Sequence, residues 1–159
     1  MDKITTDKIQ KLHPELIDEV REIYTEICNN LNKGVICRFS HTYRSNAEQN
    51  ELYFKRPKVT NAKGGQSYHN YGLAIDIVLL IDKDNNGTYE TASWDNKIDI
   101  DKDGQSDWME VVKIFKSYGW EWGGDWKFLD TPHFQKTKGK TIKDLQRLTN
   151  NLGGVKYKL

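Results

Sequence analysis

The sequence predicts a single α+β domain, a small antiparallel sheet with flanking helices. Three observations carry this. At 159 residues the chain has room for one core. One stretch has apolar residues at helical spacing, while Ala74 to Ile81 is an apolar run of strand length broken only by Asp76. Helix-like and strand-like segments follow one another without repeats or a low-complexity linker.

Leu16, Val20, Ile23, Ile27 and Leu31 recur at spacings of four and three, with Pro14 in the first turn and Gly34 as the stop. Val35 to Ser40 is rich in β-formers. Ser45-Asn46-Ala47-Glu48 is a capping box and predicts a short helix to about Phe54. Pro57 and Gly64-Gly65 bracket a loop before the strand at Ala74–Ile81. Trp108, Val111, Val112 and Phe115 mark another helix, ending near Gly119. Trp120-Glu121-Trp122 and His133-Phe134-Gln135 read as strands, and Thr141 to Leu148 as a last helix.

Net charge is +1, from 24 Lys+Arg and 23 Asp+Glu, and mean hydropathy is −0.79. No apolar run approaches the roughly 20 residues of a membrane span. The start, Met1 to Thr6, lacks the apolar stretch of a signal peptide. Cys28 and Cys37 are too few for a disulfide scaffold and are expected as reduced core residues. Charge is unevenly placed: residues 82–110 carry nine acids against three lysines, and residues 136–159 seven bases against Asp144.

A carboxylate inside an apolar strand needs a partner, because an unpaired buried charge is costly. Asp76 follows His69 by seven residues, with Gly72 and Ala74 keeping the backbone between them slim. Downstream, Asp130 and His133 stand three apart beside another strand. Two histidines and a carboxylate make a zinc set with a fourth position for water. Spacing alone leaves a second reading equally open, with Asp76 a structural hydrogen bonder and both histidines at the surface.

The segment Ser67-Tyr68-His69-Asn70-Tyr71-Gly72-Leu73-Ala74-Ile75-Asp76 resembles the S-x-H-x-x-G-x-A-x-D signature of the zinc D,D-/L,D-peptidases of the VanY, VanX and phage endolysin type, peptidase family M15. Trp122-Gly123-Gly124-Asp125-Trp126, then Asp130 and His133-Phe134, resembles that family's closing motif. Tyr43-Arg44-Ser45 with Glu48-Gln49 and Leu52-Tyr53 resembles its substrate-side segment, so the match is collinear from about residue 9 to 135. The resemblance implies a hedgehog/D,D-peptidase-like zinc fold. It implies His69, Asp76 and His133 as zinc ligands, Asp130 as general base, and Arg44 as a substrate or oxyanion contact. It also implies that Gln49 and Ser67 orient the peptide. Dipeptide-cutting members usually carry Glu as the base; Asp130 resembles the L-alanyl-D-glutamate endopeptidases instead.

Remaining polar and aromatic groups are less specific. His13 fits a cap at a helix start, and His41 lies near Arg44 with no assigned role. Trp120, Trp122 and Trp126 fit either core packing or a cleft wall.

The acidic block contains a second motif. Residues 99–110 fit D-x-[DN]-x-[DN]-G-x5-E in full, with Asp99, Asp101, Asp103, the Gln105 carbonyl, Asp107 and Glu110 as calcium ligands. Asp82, Asp84, Asn86 and Thr88 repeat its first half, but Ser93 stands where the closing Glu belongs. They are a possible second calcium site, with Glu90 or Asp95 as substitutes.

These readings converge on a zinc-dependent peptidoglycan hydrolase, endolysin-like and calcium-modulated, cutting the L-Ala–D-Glu bond of the stem peptide. The alternatives are a D-Ala-D-Ala carboxypeptidase or dipeptidase, a non-hydrolytic zinc-containing wall-binding domain, and a calcium-sensing module. Residues 1–135 are expected to form the catalytic unit, and 136–159 a basic tail with a short helix suited to anionic wall polymers. Nucleic acid is not expected as a partner, since the tail has no aromatic interleaving. The protein is expected to be monomeric and to act at the bacterial wall, reached through phage holin lesions or by export with a removed signal.

Overall fold

A computed structural model of the chain describes residues 1–151 and 158–159. Along the chain run α1 (Lys3–Ile9), α2 (Ile17–Asn30), β1 (Val35–His41), α3 (Asn46–Phe54), β2 (Ala74–Ile81), β3 (Thr91–Ser93), α4 (Asp107–Ser117), β4 (Glu121–Trp122), β5 (His133–Gln135) and α5 (Ile142–Asn151). Short 3-10 turns lie at Pro14–Leu16, Tyr68–Tyr71 and Gly123–Asp125. The predicted α+β class with a small antiparallel sheet is what the structure has.

Strand β2 organises the sheet. All of its residues are buried except Asp76, which is half-buried. It pairs antiparallel with β1 along its length, with β5 near its start and with β3 near its end. β4 extends the sheet beyond β5, giving the order β1-β2-β5-β4. A strand paired on both edges and covered on both faces is apolar almost throughout, as the Ala74–Ile81 run is.

Helix α2 lays Val20, Ile23, Tyr24 and Ile27 on the core. His13 caps the turn before it, its Nδ1 accepting from the Glu15 amide at 3.2 Å. Helix α4 adds Trp108, Val111, Val112 and Phe115. Phe115 stacks on Phe134 at 4.2 Å between centroids and meets Trp120 edge-on at 5.5 Å. Trp120 and Trp122 are therefore core residues, which decides that part of the tryptophan question. Leu145 of α5 is fully buried in the same core. Residues 152–157 of the basic segment, Lys156 among them, lie outside the described residues.

The short strand β3 was not expected from the sequence, and two further features depart from expectation. Helix α1 has no counterpart in the sequence reading, because its isoleucines form no stripe: Ile9 is buried but Ile4 is exposed. Polar contacts hold it instead. Asp2 accepts from the Thr5 amide as N-cap and takes two hydrogen bonds from the Arg38 guanidinium, at 2.8 and 2.9 Å. The second departure concerns the cysteines, both free thiols. Cys37 is buried as expected, but Cys28 is exposed, since it sits beside Ile27 and off the buried face of α2.

Gly72 ends the 3-10 turn that carries His69, with φ at +69°. A Cβ there would lie 2.4 Å from the His13 backbone nitrogen, whose N–H donates to the Gly72 carbonyl at 3.0 Å. Both the left-handed backbone and the close approach require glycine. Gly72→Ala is expected to lower stability by at least about 2 kcal/mol in urea denaturation.

Candidate metal centre

Sheet register brings the site together. Asp76 of β2 lies opposite His133 of β5 on one side and His41 of β1 on the other. The 3-10 turn leading into β2 supplies His69. Its N-cap Ser67 accepts from the His69 amide at 3.2 Å, and Asn70 completes a capping box. The turn is pinned to the β1 exit by the Arg44 amide donating to the His69 carbonyl at 3.0 Å.

His69 Nε2 lies 3.2 Å from Asp76 Oδ2, and His133 Nδ1 lies 3.1 Å from Asp76 Oδ1. The three donor atoms fall within 4.8 Å of one another. Tetrahedral zinc with bonds of about 2.0–2.1 Å separates its ligand atoms by about 3.3 Å, close to the two nitrogen–oxygen separations here, so the donor types and spacing suit the ion. The far ring nitrogens are also committed. His69 Nδ1 is 2.7 Å from the Thr42 carbonyl, and His133 Nε2 is 2.9 Å from Gln135 Oε1. These acceptors hold a proton on the outer nitrogen and turn the other lone pair inward. Burial alone would raise the Asp76 carboxyl, but hydrogen bonds and charge from His133 and His69 hold it well below the usual range.

Asp130 stands at the rim, its side chain 54% exposed and Oδ2 3.9 Å from His133 Nδ1. Burial raises its carboxyl above the ordinary value, against the lowering effect of His133. Its segment is held by the Asp130 amide donating to the Gly123 carbonyl at 2.9 Å. A Cβ on Gly123 would come within 2.2 Å of the Asp130 carbonyl oxygen, so the glycine lets the two stretches touch. Trp126, half-buried, faces the His133 ring at 5.4 Å and forms cleft wall rather than core.

Arg44 is buried, with Nη2 3.8 Å from Asp76 Oδ2. Its Nη1 donates to Gln49 Oε1 at 2.8 Å, and Gln49 Nε2 donates to the Ala62 carbonyl at 2.8 Å. Gln49 is fully buried, which corrects the expected peptide contact: it braces Arg44 instead. Ser67 is spent on capping the His69 turn. His41, with Nδ1 3.9 Å from Asp76 Oδ2, lines a groove of about 370 Å³ together with Arg44, Glu48 and Lys55.

Neither Thr42 nor Gln135 was singled out as a site residue from the sequence. Gln135 had a signal, two residues from His133 on a strand and so on the same face. Thr42 acts through its carbonyl, for which no side-chain pattern exists.

The two acidic loops share one backbone form. Asp99 accepts from the amides of Asp103 and Gly104, and Asp82 from those of Asn86 and Gly87. In the first loop, Asp99, Asp101 and Asp107 cluster, as do Asp101, Asp103 and Glu110. Burial, with neighbouring acids adding to it, pushes Asp107 up to about 6 and Glu110 up to about 7. In the second, Asp82 and Asp84 cluster with Glu90, to which Thr88 Oγ1 donates at 2.8 Å; Asn86 bonds within the loop. Asp95 instead accepts from the Lys97 amide.

A family model described as D-alanyl-D-alanine carboxypeptidase, of the M15 peptidases, matches residues 60–136. A curated relative, the peptidoglycan L-alanyl-D-glutamate endopeptidase CwlK of Bacillus subtilis (strain 168), is 49% identical over 110 residues, 65% of this chain. The alignment spans 62% of that protein's length. Over these stretches the chain is similar to an M15 peptidase model and to a peptidoglycan endopeptidase.

The outer acceptor of His133 gives a direct check on the centre. Gln135→Leu is expected to leave the circular dichroism spectrum unchanged and to weaken zinc retention about 10- to 100-fold against a competing chelator.

Proposed function

We propose that this chain is a zinc-dependent peptidoglycan hydrolase of the M15 type that cleaves the L-Ala–D-Glu bond of the stem peptide. The observation that carries the reading is the juxtaposition of a three-donor centre, His69, Asp76 and His133, with a rim carboxylate and a braced guanidinium. The bond assignment rests on the CwlK relative and on Asp130 in the base position.

His69, Asp76 and His133 would hold the zinc. Bound there, zinc supplies Lewis acidity and lowers the pKa of a water toward about 7. Asp130 takes the proton of the attacking water and delivers it to the departing amine as the C–N bond breaks. Its exposure admits both water and peptide, and a carboxylate whose pKa is raised is the stronger base for the first transfer. Arg44 keeps its charge at neutral pH and lies beside the centre, placed to stabilise the developing oxyanion or to hold a stem carboxylate. Gln49 fixes that guanidinium from behind.

Replacing His69, Asp76 or His133 with Ala is expected to abolish zinc retention and hydrolysis together. Asp130→Ala is expected to keep zinc, measured by metal analysis, and to lose at least about 100-fold in turnover. Hydrolysis by that variant at the wild-type rate would overturn the assignment of the base.

The description of the family model favours a second reading, removal of a terminal D-Ala. Mass spectrometry of digested peptidoglycan separates the two. Endopeptidase action yields fragments with a new D-Glu amino terminus; free D-Ala as the main product would establish the carboxypeptidase instead.

A further inference from the structure

Away from the cleft, the loop at 99–110 holds charges that the fold leaves uncompensated. Asp107 and Glu110 are 0% and 7% exposed. Asp107 Oδ2 accepts from the Ile100 amide at 2.8 Å, but Oδ1 has no partner, and neither has Glu110 Oε2. Both face clustered acids: Asp107 groups with Asp99 and Asp101, and Glu110 with Asp101 and Asp103, donor oxygens lying within 4.8 Å of one another. Among the described residues, no lysine or arginine forms an ion pair with any of these five carboxylates. A buried carboxylate oxygen with neither donor nor counter-charge opposes folding, and crowding by like charges adds to the opposition. A cation seated among the five removes both.

We propose that Asp99, Asp101, Asp103, the Gln105 carbonyl, Asp107 and Glu110 hold one calcium ion. The donors are all hard oxygens, in the number and loop spacing that calcium's 6–8-coordinate shell takes, and the set lacks the nitrogen or sulfur ligands that zinc prefers. Glu110, in the first turn of α4, closes the shell from the helix side. Asp101 Oδ2 also accepts from the Asn32 amide at 2.9 Å, so the ion fastens the start of α4 to the turn between α2 and β1. Helix α4 then runs through Tyr118 and Gly119 into β4 and on to the Asp130–His133 segment. That is the route by which the modulation expected from the sequence would reach the cleft. The site itself is independent of the peptidase reading.

The second loop, at 82–90, is the internal control. It shares the backbone form, but Asp84 and Glu90 are exposed and no buried acid closes it.

The test is calorimetric titration of calcium chloride into the zinc-loaded full chain, beside thermal melts. Wild type is expected to bind calcium and to gain about 5–10 °C in Tm when calcium is near 100 times Kd. Glu110→Gln and Asp107→Asn are expected to lower calcium affinity at least about tenfold. Their melting temperature without calcium should be unchanged or higher, because an unpaired buried charge has gone. Asp103→Ala, at an exposed position, gives the same loss of affinity should either buried variant fail to fold. Absence of both binding heat and Tm shift would overturn the proposal, as would an equal shift with magnesium. Wild-type affinity in the folded variants would overturn it too, by placing the ion elsewhere.

Discussion

Asp76 is the constraint around which the cleft is arranged. It is the one carboxylate on a strand otherwise buried along its length, and a charge so placed persists only with partners at contact distance. The partners come from opposite directions. His133 is its register neighbour on β5, while His69 is carried in by the turn that precedes β2. The close packing of Gly72 against His13 keeps that turn low over the strand. Loosening either approach would leave the carboxylate short of partners, so sheet register and turn geometry are set by the same charge.

The centre divides into groups that are held and a group that is free. Each histidine is fixed at both ring nitrogens, and Arg44 is fixed by a fully buried amide. Asp130 has only its backbone anchored, through Gly123, and its side chain faces solvent. This division suits a centre whose donor atoms must keep fixed separations while a proton carrier reaches water and substrate. Phe128 and Leu129, exposed next to Asp130, give the same rim an apolar border.

The acidic loops show how one local sequence form acquires different consequences from its context. Asn85 and Lys102 take the same left-handed conformation, with φ at 57° and 59°, and Gly87 and Gly104 come two residues later at 89° and 92°. Locally the loops are near copies. They differ in the element each leads into: only the 99–105 loop runs straight into a helix, and that helix carries Asp107 and Glu110 into the interior.

Much of this was legible in the sequence because it is encoded over short distances. Capping at Ser45, the apolar stripe of α2, the run of β2 and the two acidic loops each depend on neighbours a few residues away, where periodicity and turn chemistry act directly. Collinear motifs likewise singled out His69, Asp76, Asp130 and His133. Helix α1 was missed because a salt bridge to Arg38 holds it, 36 residues on from Asp2, in place of an apolar stripe. The family resemblance implied that Gln49 orients the peptide; its burial against Arg44 and Ala62 is a property of packing that the motif does not carry. Thr42 contributes a carbonyl, which every residue has, so no pattern could mark it. Local sequence therefore determined most of the elements and marked the candidate site residues His69, Asp76, Asp130 and His133. Only the tertiary structure decided which atoms meet, because donor separations near 3 Å depend on strand register and on close backbone contacts between segments far apart in the chain.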